Sequence, residues 1–413
     1  MATTTTRAKP KQETPERRIL DRLQAALQHK QRFDAKIRRL RAHIANVPVG
    51  EHMRESIEVG DINYLLINLH LKTAALMAGV RDAQVRFRNA PETLGYAFKD
   101  RVILPAIPDF EAALKDRFGV GVGVLGVGYE PERGAFIMRI PPEDVYWSPT
   151  RMLHDPLYLC RRVHTEKGDM YWEYWDAHTY AIIYRDQVRT MRENPLGDIP
   201  FRIMPNLTVP GIAFPISDTE LCLPAQILLR ENRRALLKAA RTGSGFYEYR
   251  RDAVDPLELE KLADGEEVFI ATDTGNEIQV RVSPPLNLEW MSLETIVKQD
   301  LDAQSGVSEY LRGSMPIANT IRFATQVLAA LSAQNLRIQS DWLPIQSVLL
   351  EVARLWVQLA HINRERIQYG EEVIEMGSLP IAQIHPYLPE LEEMDIMAIL
   401  QNPLMAMQQQ QQQ

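Results

Sequence analysis

Cysteine is nearly missing: Cys160 and Cys222 are the only two in 413 residues. Two are too few for a disulfide framework, and such scarcity fits a reducing compartment. No stretch approaches the roughly 18–20 consecutive apolar residues that a membrane-spanning helix needs. Met1–Lys11 is threonine-rich and basic with no apolar core, so no signal peptide is expected. The chain holds no Gly-Lys pair, which excludes a phosphate-binding GxxxxGKS/T loop, and no HExxH zinc motif. His154 and His164 flank Cys160 without helical metal spacing and read as ordinary sheet residues. Ser217-Asp218 and Ser308-Glu309 read as cap and surface residues. With no nucleophile–base pairing, cofactor site or metal site evident, the sequence reads as that of a non-enzyme.

What is present describes a globular protein. The chain is 24% charged and 45% hydrophobic, with a net charge of -7, which excludes a wholly basic nucleic-acid coat. Its length suggests two or three domains. Charge is unevenly placed. Residues 1–50 hold 12 Lys/Arg against 4 Asp/Glu, whereas residues 367–413 hold 7 acidic residues and no Lys or Arg. Such polarity marks either an interaction surface at each end or two solvated tails. Pro15–Ile44 is predicted to be a helix capped by Thr14, with an incomplete apolar stripe and a crowd of arginines. Those cations suit phosphates or an acidic neighbour equally.

Asp61 is expected to cap a second helix, Ile62–Ala78, ended by Gly79. A third amphipathic stretch, Pro91–Phe118, is interrupted by Pro105 and Pro108. Strand-like pieces follow at Gly119–Tyr129, Ala135–Ile140, Tyr158–His164, Met170–Asp176, Tyr180–Arg185 and Phe201–Met204, and together they suggest one antiparallel sheet layer. A helix at Ala225–Arg241 precedes a small insert, Gly243–Pro285, with a short helix at Pro256–Ala263. Strands at Glu267–Ala271 and Ile278–Val282, joined by a turn with Gly275, complete that insert. Another helix runs from Leu288 to about Ser305. After a Gly313–Pro316 break, one long helical stretch extends from about Ala318 to Tyr369.

That stretch carries the clearest pattern. Ala324, Leu328, Leu331, Asn335, Ile338, Trp342, Ile345, Leu349, Val352, Trp356, Leu359 and Asn363 alternate spacings of four and three. Pro344 should kink it, because proline removes a backbone donor and crowds the preceding turn. Packing against other helices of an assembly is preferred to a free coiled-coil rod.

Gly121, Gly123 and Gly126 match the GxGxxG spacing of dinucleotide loops, but such a loop must open a helix that faces the pyrophosphate. Here the glycines alternate with valine and run on toward another strand, which suits close packing of a strand instead. The remaining chemical signal is complementary charge. Arg230, Arg234, Lys238 and Arg241 fall on one helix face, and Glu289, Glu294 and Asp300 lie on the helix after the insert. Two solvated faces are one reading; packing of basic face on acidic face, within or between subunits, is the other.

The order of segments resembles portal proteins of tailed bacteriophages. The resemblance rests on Pro142-Glu-Asp-Val-Tyr-Trp-Ser-Pro149, Glu173-Tyr-Trp175, Asn194-Pro-Leu-Gly-Asp-Ile-Pro-Phe201 with Asn206, Ser305–Ser314, and Asn319-Thr320. These run in the same order over roughly residues 60–370. Ile321-Arg322-Phe323 departs from the threonine- and alanine-rich acidic continuation common in the family.

The resemblance implies an α+β, predominantly α-helical fold with portal-like wing, stem, clip and crown, a kinked long helix and a small α/β clip module. The expected division is a basic arm or helix (1–45), a wing (46–216), stem helices (217–242 and 286–312) and a clip (243–285). A tunnel loop (313–320), a long wing helix (321–369), a crown (370–407) and a disordered glutamine tail (408–413) complete it. It further implies a homo-oligomeric ring of twelve at one capsid vertex, assembled in the host cytoplasm, through which double-stranded DNA is packaged and ejected. Expected partners are the terminase large subunit, the capsid protein and head-completion, adaptor or tail proteins, with no membrane and no cofactor. Ser314, Met315, Pro316, Ile317, Ala318 and Asn319 would border the channel. Arg250, Arg251, Asp252, Glu258 and Asp273 would belong to the docking face of the clip. The alternatives are a non-channel oligomeric scaffold or adaptor, and a nucleotide-binding enzyme built on Gly121–Gly126.

Overall fold

The computed structural model describes residues 14–45, 62–149, 153, 156–210, 212–242, 246–249, 278–281, 288–307 and 324–389. The fold is mixed α+β with several small antiparallel sheets, and the chain divides into two compact units. One comprises Met1–Cys222 with Gln304–Gln413; the other is Leu223–Ala303.

The first helix, α1 (Pro15–Ala45), buries Ile19, Leu23, Ala26, Phe33, Ile37 and Leu40 at helical spacing. Ile19, Leu23 and Ala26 pack on Tyr146, Tyr158, Cys160, Tyr174 and Ile183. Those residues belong to a five-stranded sheet ordered β4 (Val145–Trp147), β5 (Tyr158–His164), β6 (Met170–Asp176), β7 (Thr179–Tyr184) and β8 (Gln187–Glu193). The single sheet layer expected from the sequence is therefore divided. β9 (Phe201–Pro205) joins a separate three-stranded sheet with β2 (Val122–Glu130) at its centre and β3 (Gly134–Arg139) at its far edge. β8 was not anticipated because its side chains are mostly polar and exposed, so no apolar alternation announces it. The turn into it is made by Arg185 and Asp186, both at positive φ.

Helix α2 (Tyr64–Asp82) starts and stops elsewhere than expected. Asn63 caps it, its Oδ1 accepting from Leu66 N at 3.2 Å; Asp61 lies outside the described residues. Gly79 does not end the helix. A Cβ there would stand 3.0 Å from the Trp342 ring, so the glycine serves close packing inside the helix. After β1 (Arg86–Arg88), the interrupted third stretch becomes α3 (Thr93–Phe98), a wide π turn at Lys99–Ile103, and α4 (Ile107–Val120) with Pro108 in its first turn. Gly121, at φ 100°, ends α4 in the left-handed region and starts β2.

The main core joins α2, α3, α4 and the central sheet to the C-terminal helix. That helix spans Ala324–Ile362 and runs through Pro344. The seam residues Trp342, Ile345, Leu349, Val352 and Trp356 are all buried, and Val348, Ala353, Leu355, Val357 and Ala360 widen the seam to most of the surface. Helical structure stops short of the predicted Tyr369. The Asn363 amide bonds Leu359 O at 2.8 Å, and Arg364 takes φ 50°. β12 (Arg366–Tyr369) then pairs with β13 (Glu372–Glu375). The described part of the expected crown does not stand apart. Ile374, Met376 and Ile384 are in the main core, and β14 (His385–Tyr387) pairs with β1.

The second unit carries the greater part of α5 (Asp218–Thr242) and of α6 (Leu288–Ser305), together with β10 (Phe246–Tyr249) and β11 (Ile278–Arg281). Ser217 caps α5, its Oγ accepting from Glu220 N at 3.0 Å. β11 pairs antiparallel with β10. The expected partner Glu267–Ala271 and the helix Pro256–Ala263 lie outside the described residues. With the last helix numbered α7, the chain order is helix, strand pair, helix, then the long α7.

Candidate functional site

The two helices that flank the strand pair are joined by charge. Arg233 Nη2 lies 2.7 Å from Glu294 Oε1, and Lys298 Nζ approaches the same oxygen at 2.8 Å. Each of these three side chains is less than one third exposed. Burial pushes the Glu294 carboxyl up, but hydrogen bonds from Lys298 and Arg233 outweigh it and hold the group below the usual value. Leu229, before Arg233 on α5, and Val297 and Leu301, after Glu294 on α6, are buried.

Of the acids singled out in the sequence, Glu294 meets Arg233 and Lys298, neither of which was singled out. Arg230 is buried and Arg234 half-buried, and Asp300 is exposed. Lys238, Arg241 and Glu289 fall within the two helices, outside the residues whose side chains are described. Arg233 belongs to the same basic run; its one-residue offset from Arg234 placed it on another face in helical-wheel terms.

A second charged centre stands where α5 begins, wholly inside the larger unit. Lys72 Nζ lies 2.6 Å from Asp218 Oδ2 and 2.7 Å from Asp341 Oδ2. Arg117 donates to Asp341 O at 2.8 Å and to Pro205 O at 3.1 Å, and Asn206 donates to Asp218 Oδ1 at 2.9 Å. Burial lowers the Arg117 value, opposed by Asp341 and Asp218. Lys72 also sits 4.3 Å from the Phe118 ring centre. One cluster therefore fastens α2, α4, the end of β9, the first residue of α5 and α7. Sequence reasoning missed it, although a lone lysine inside the apolar run Leu65–Met77 was the available signal. The cavity beside it, lined by Leu69, Phe118, Cys222 and Ser305 among others, measures about 10 Å³. That is the room of one water, not of an organic ligand.

A third cluster centres on Asp116, which is buried. Arg41 reaches its Oδ1 at 2.7 Å and Arg139 its Oδ2 at 2.7 Å, while Arg41 also bonds Glu143 at 2.8 Å. No group of three metal-ligating side chains occurs among the described residues, and no helix there is long and apolar enough to cross a membrane.

Gly121–Gly126 has no dinucleotide geometry. A strand follows the turn, where pyrophosphate binding needs a helix N-terminus. A Cβ on Gly123 would overlap the Ala113 carbonyl, and one on Gly126 would come within 2.9 Å of Ile140 and Phe201. These glycines let α4 and the neighbouring side chains close on β2, as the sequence suggested. The expected channel-bordering residues Ser314, Met315, Pro316, Ile317, Ala318 and Asn319 lie outside the described residues. So do the expected clip residues Arg250, Arg251, Asp252, Glu258 and Asp273.

No protein-family model matches the chain, and no curated protein matches it. Among solved structures, the chain is similar to one in the virion of a native gene transfer agent particle, at 13% identity and TM-score 0.46, covering 85% of this chain and 91% of that one. It is similar to a chain in the neck of the empty particle, computed with C6 symmetry, at 14% identity and TM-score 0.43, covering 85% and 91%. For the neck of the native particle, computed with C12 symmetry, the values are 14% and 0.39, with 81% and 83% covered.

Proposed function

We propose that this chain is a portal-type subunit: a non-enzymatic virion component that closes into a ring of twelve and conducts double-stranded DNA. The observation that carries the reading is the order helix, antiparallel strand pair, helix, with Arg233 on Glu294 across the two helices, followed by a 39-residue helix that buries Trp342, Ile345, Leu349, Val352 and Trp356 in the larger unit's own core. It agrees with the colinear motifs from Pro142 to Asn319.

In this reading residues 46–216 belong to the wing, 217–242 and 286–312 to the stem, 243–285 to the clip and 313–320 to the tunnel loop. The N-terminal arm is 1–45, the returning wing helix 321–369, the crown 370–407 and the tail 408–413. A conduit works by gripping weakly. Each phosphate neutralised by Lys or Arg releases counterions and adds affinity. Pairing Arg233 with Glu294 withdraws a cation from that role, and Met315, Pro316 and Ile317 offer the duplex an uncharged edge that reads no bases. The driving energy comes from a separate ATPase docking at a clip face that includes Arg250, Arg251, Asp252, Glu258 and Asp273. Capsid protein and adaptor or tail proteins complete the vertex.

Negative-stain imaging with mass measurement tests the proposal. Closed rings with an axial hole wide enough for a duplex are expected. Filaments, compact dimers or a hole narrower than a duplex would overturn it in favour of a non-channel scaffold.

A further inference from the structure

The cations of α1 divide into two sets. Arg22 pairs with Asp176 at 3.0 Å, Lys30 with Asp34 at 3.1 Å, Lys36 with Glu220, and Arg41 with Asp116 and Glu143. These four are at least half-buried and consumed by the fold. Arg17, Arg18, Arg32, Arg38 and Arg39 are exposed, and among the described residues none has a side-chain ion pair. Arg38 rests one donor on Asp34 O of its own helix at 3.4 Å.

At 100° per residue, Arg17, Asp21, Gln24, Gln28, Gln31, Arg32, Ala35 and Arg39 fall on the side away from Leu23, Phe33 and Ile37, with Arg38 at its edge. Only Glu16 and Asp21 bring negative charge to the exposed surface of the helix, and no large apolar side chain is exposed on it. The helix is 31 residues long, roughly 46 Å.

We propose that this outward face of α1 is a nucleic-acid site that holds the phosphate backbone of a duplex without reading its sequence. Arginine forks and glutamine amides are the donors that phosphate oxygens take, and a straight helix row of them positions on a backbone while carrying no base code. The other anionic candidate is the acidic segment Glu390–Asp395 of a second copy. That segment interleaves its acids with Leu391 and Met394 and runs on into Ile396, Met397, Ile399 and Leu400. A protein partner of that composition needs an apolar anchor site, and the face offers none. The site is independent of the ring: a chain that formed no annulus would carry the same four arginines on this face.

The test is a binding titration of the full chain against labelled duplexes of about 40 base pairs and two unrelated sequences, across roughly 50–200 mM salt. Equal affinity for both sequences is expected, falling steeply with salt. Arg32→Gln/Arg38→Gln/Arg39→Gln should weaken binding on the order of tenfold or more and make the log–log salt slope shallower by about 2–3, near 0.9 for each lost contact. Its melting temperature should match the wild type, since all three side chains are exposed. Three results would each overturn the site: no duplex binding by the wild type, an unchanged slope in the variant, or marked preference for one sequence. So would a peptide of residues 389–400 that displaces the duplex and itself loses affinity for the variant. Ring images and this titration report separately, so failure of either leaves the other intact.

Discussion

Arg233 and Glu294, 61 residues apart in sequence, meet at 2.7 Å and connect the helix entering the strand-pair insert to the helix leaving it. Arg233→Glu should set two carboxylates against each other and lower the unfolding free energy of the unit by about 1–2 kcal/mol, with Glu294→Arg in the same chain restoring much of it. Denaturant titrations of the four chains check this. The sign with pH follows from the lowered Glu294 value. Its contribution is complete above the ordinary 4.5 and is lost as pH falls through the folded value. Failure of the double variant to recover would mean that the two side chains act separately.

Lys72 balances two carboxylates at once, so removing it differs from trimming a surface pair. Lys72→Met leaves Asp218 and Asp341 buried without their shared cation, and a loss of about 3–5 kcal/mol is expected. Asp341→Asn should cost less, because Arg117 keeps the Asp341 backbone oxygen and Lys72 keeps Asp218. Urea midpoints rank the two; a smaller loss for Lys72→Met would show that the cluster is not held through the lysine.

What the sequence made legible follows the physics of each element. The strands Tyr158–His164 and Met170–Asp176 were legible to the residue, since Asp155-Pro156 and Gly168-Asp169 set off their starts and the second carries four aromatic side chains. Trp342 through Trp356 were legible because helical burial repeats at 3.5 residues. The end of α7 was hidden. Asn363-Arg364 stops it by a left-handed turn with no glycine or proline to mark the place. The role of Gly79 was misread because a glycine that admits a tryptophan ring looks, in one dimension, like a glycine that ends a helix. The Lys72 cluster was out of reach for a different reason: its members come from five places spread over 270 residues, and only the fold brings them together. At the candidate site, net charge drew notice to α5 and α6, whereas the meeting of Arg233 with Glu294 depends on a helix rotation that charge counts do not carry.

The glycines of β2 separate a packing role from a ligand role. Gly123→Ala would drive a methyl into the Ala113 carbonyl and is expected to destabilise the fold by several kcal/mol. Equilibrium dialysis of the wild type against NAD, ATP and flavins should show no stoichiometric binding. One equivalent of any of them would restore a nucleotide site at Gly121–Gly126.

Lys30 gives the larger unit a signature at alkaline pH. Its ammonium is fully buried, donates to Pro142 O, pairs with Asp34 and lies 4.1 Å from the Tyr146 ring centre. Burial pulls its value down from 10.5 to about 8, against the opposing pull of Asp34 and Glu143. Between those limits Lys30 is protonated in the unfolded chain and not in the folded one, so its contribution makes stability rise with pH from about 8, opposed above about 9 by the buried Cys160 thiol, which burial pushes up. The slope contributed by one such group is at most about 1.4 kcal/mol per pH unit. Above pH 10 the phenol of Tyr146 acts in the opposite direction. Burial, and then the Asp34 charge, push it up to about 12, and stability falls as the unfolded tyrosines ionise first. Unfolding free energies measured at intervals from pH 7 to 11 should therefore pass through a maximum in the wild type. In Lys30→Met the rising limb should be absent while the falling limb remains. A rising limb that survives the substitution would assign it to another group and remove Lys30 as its source.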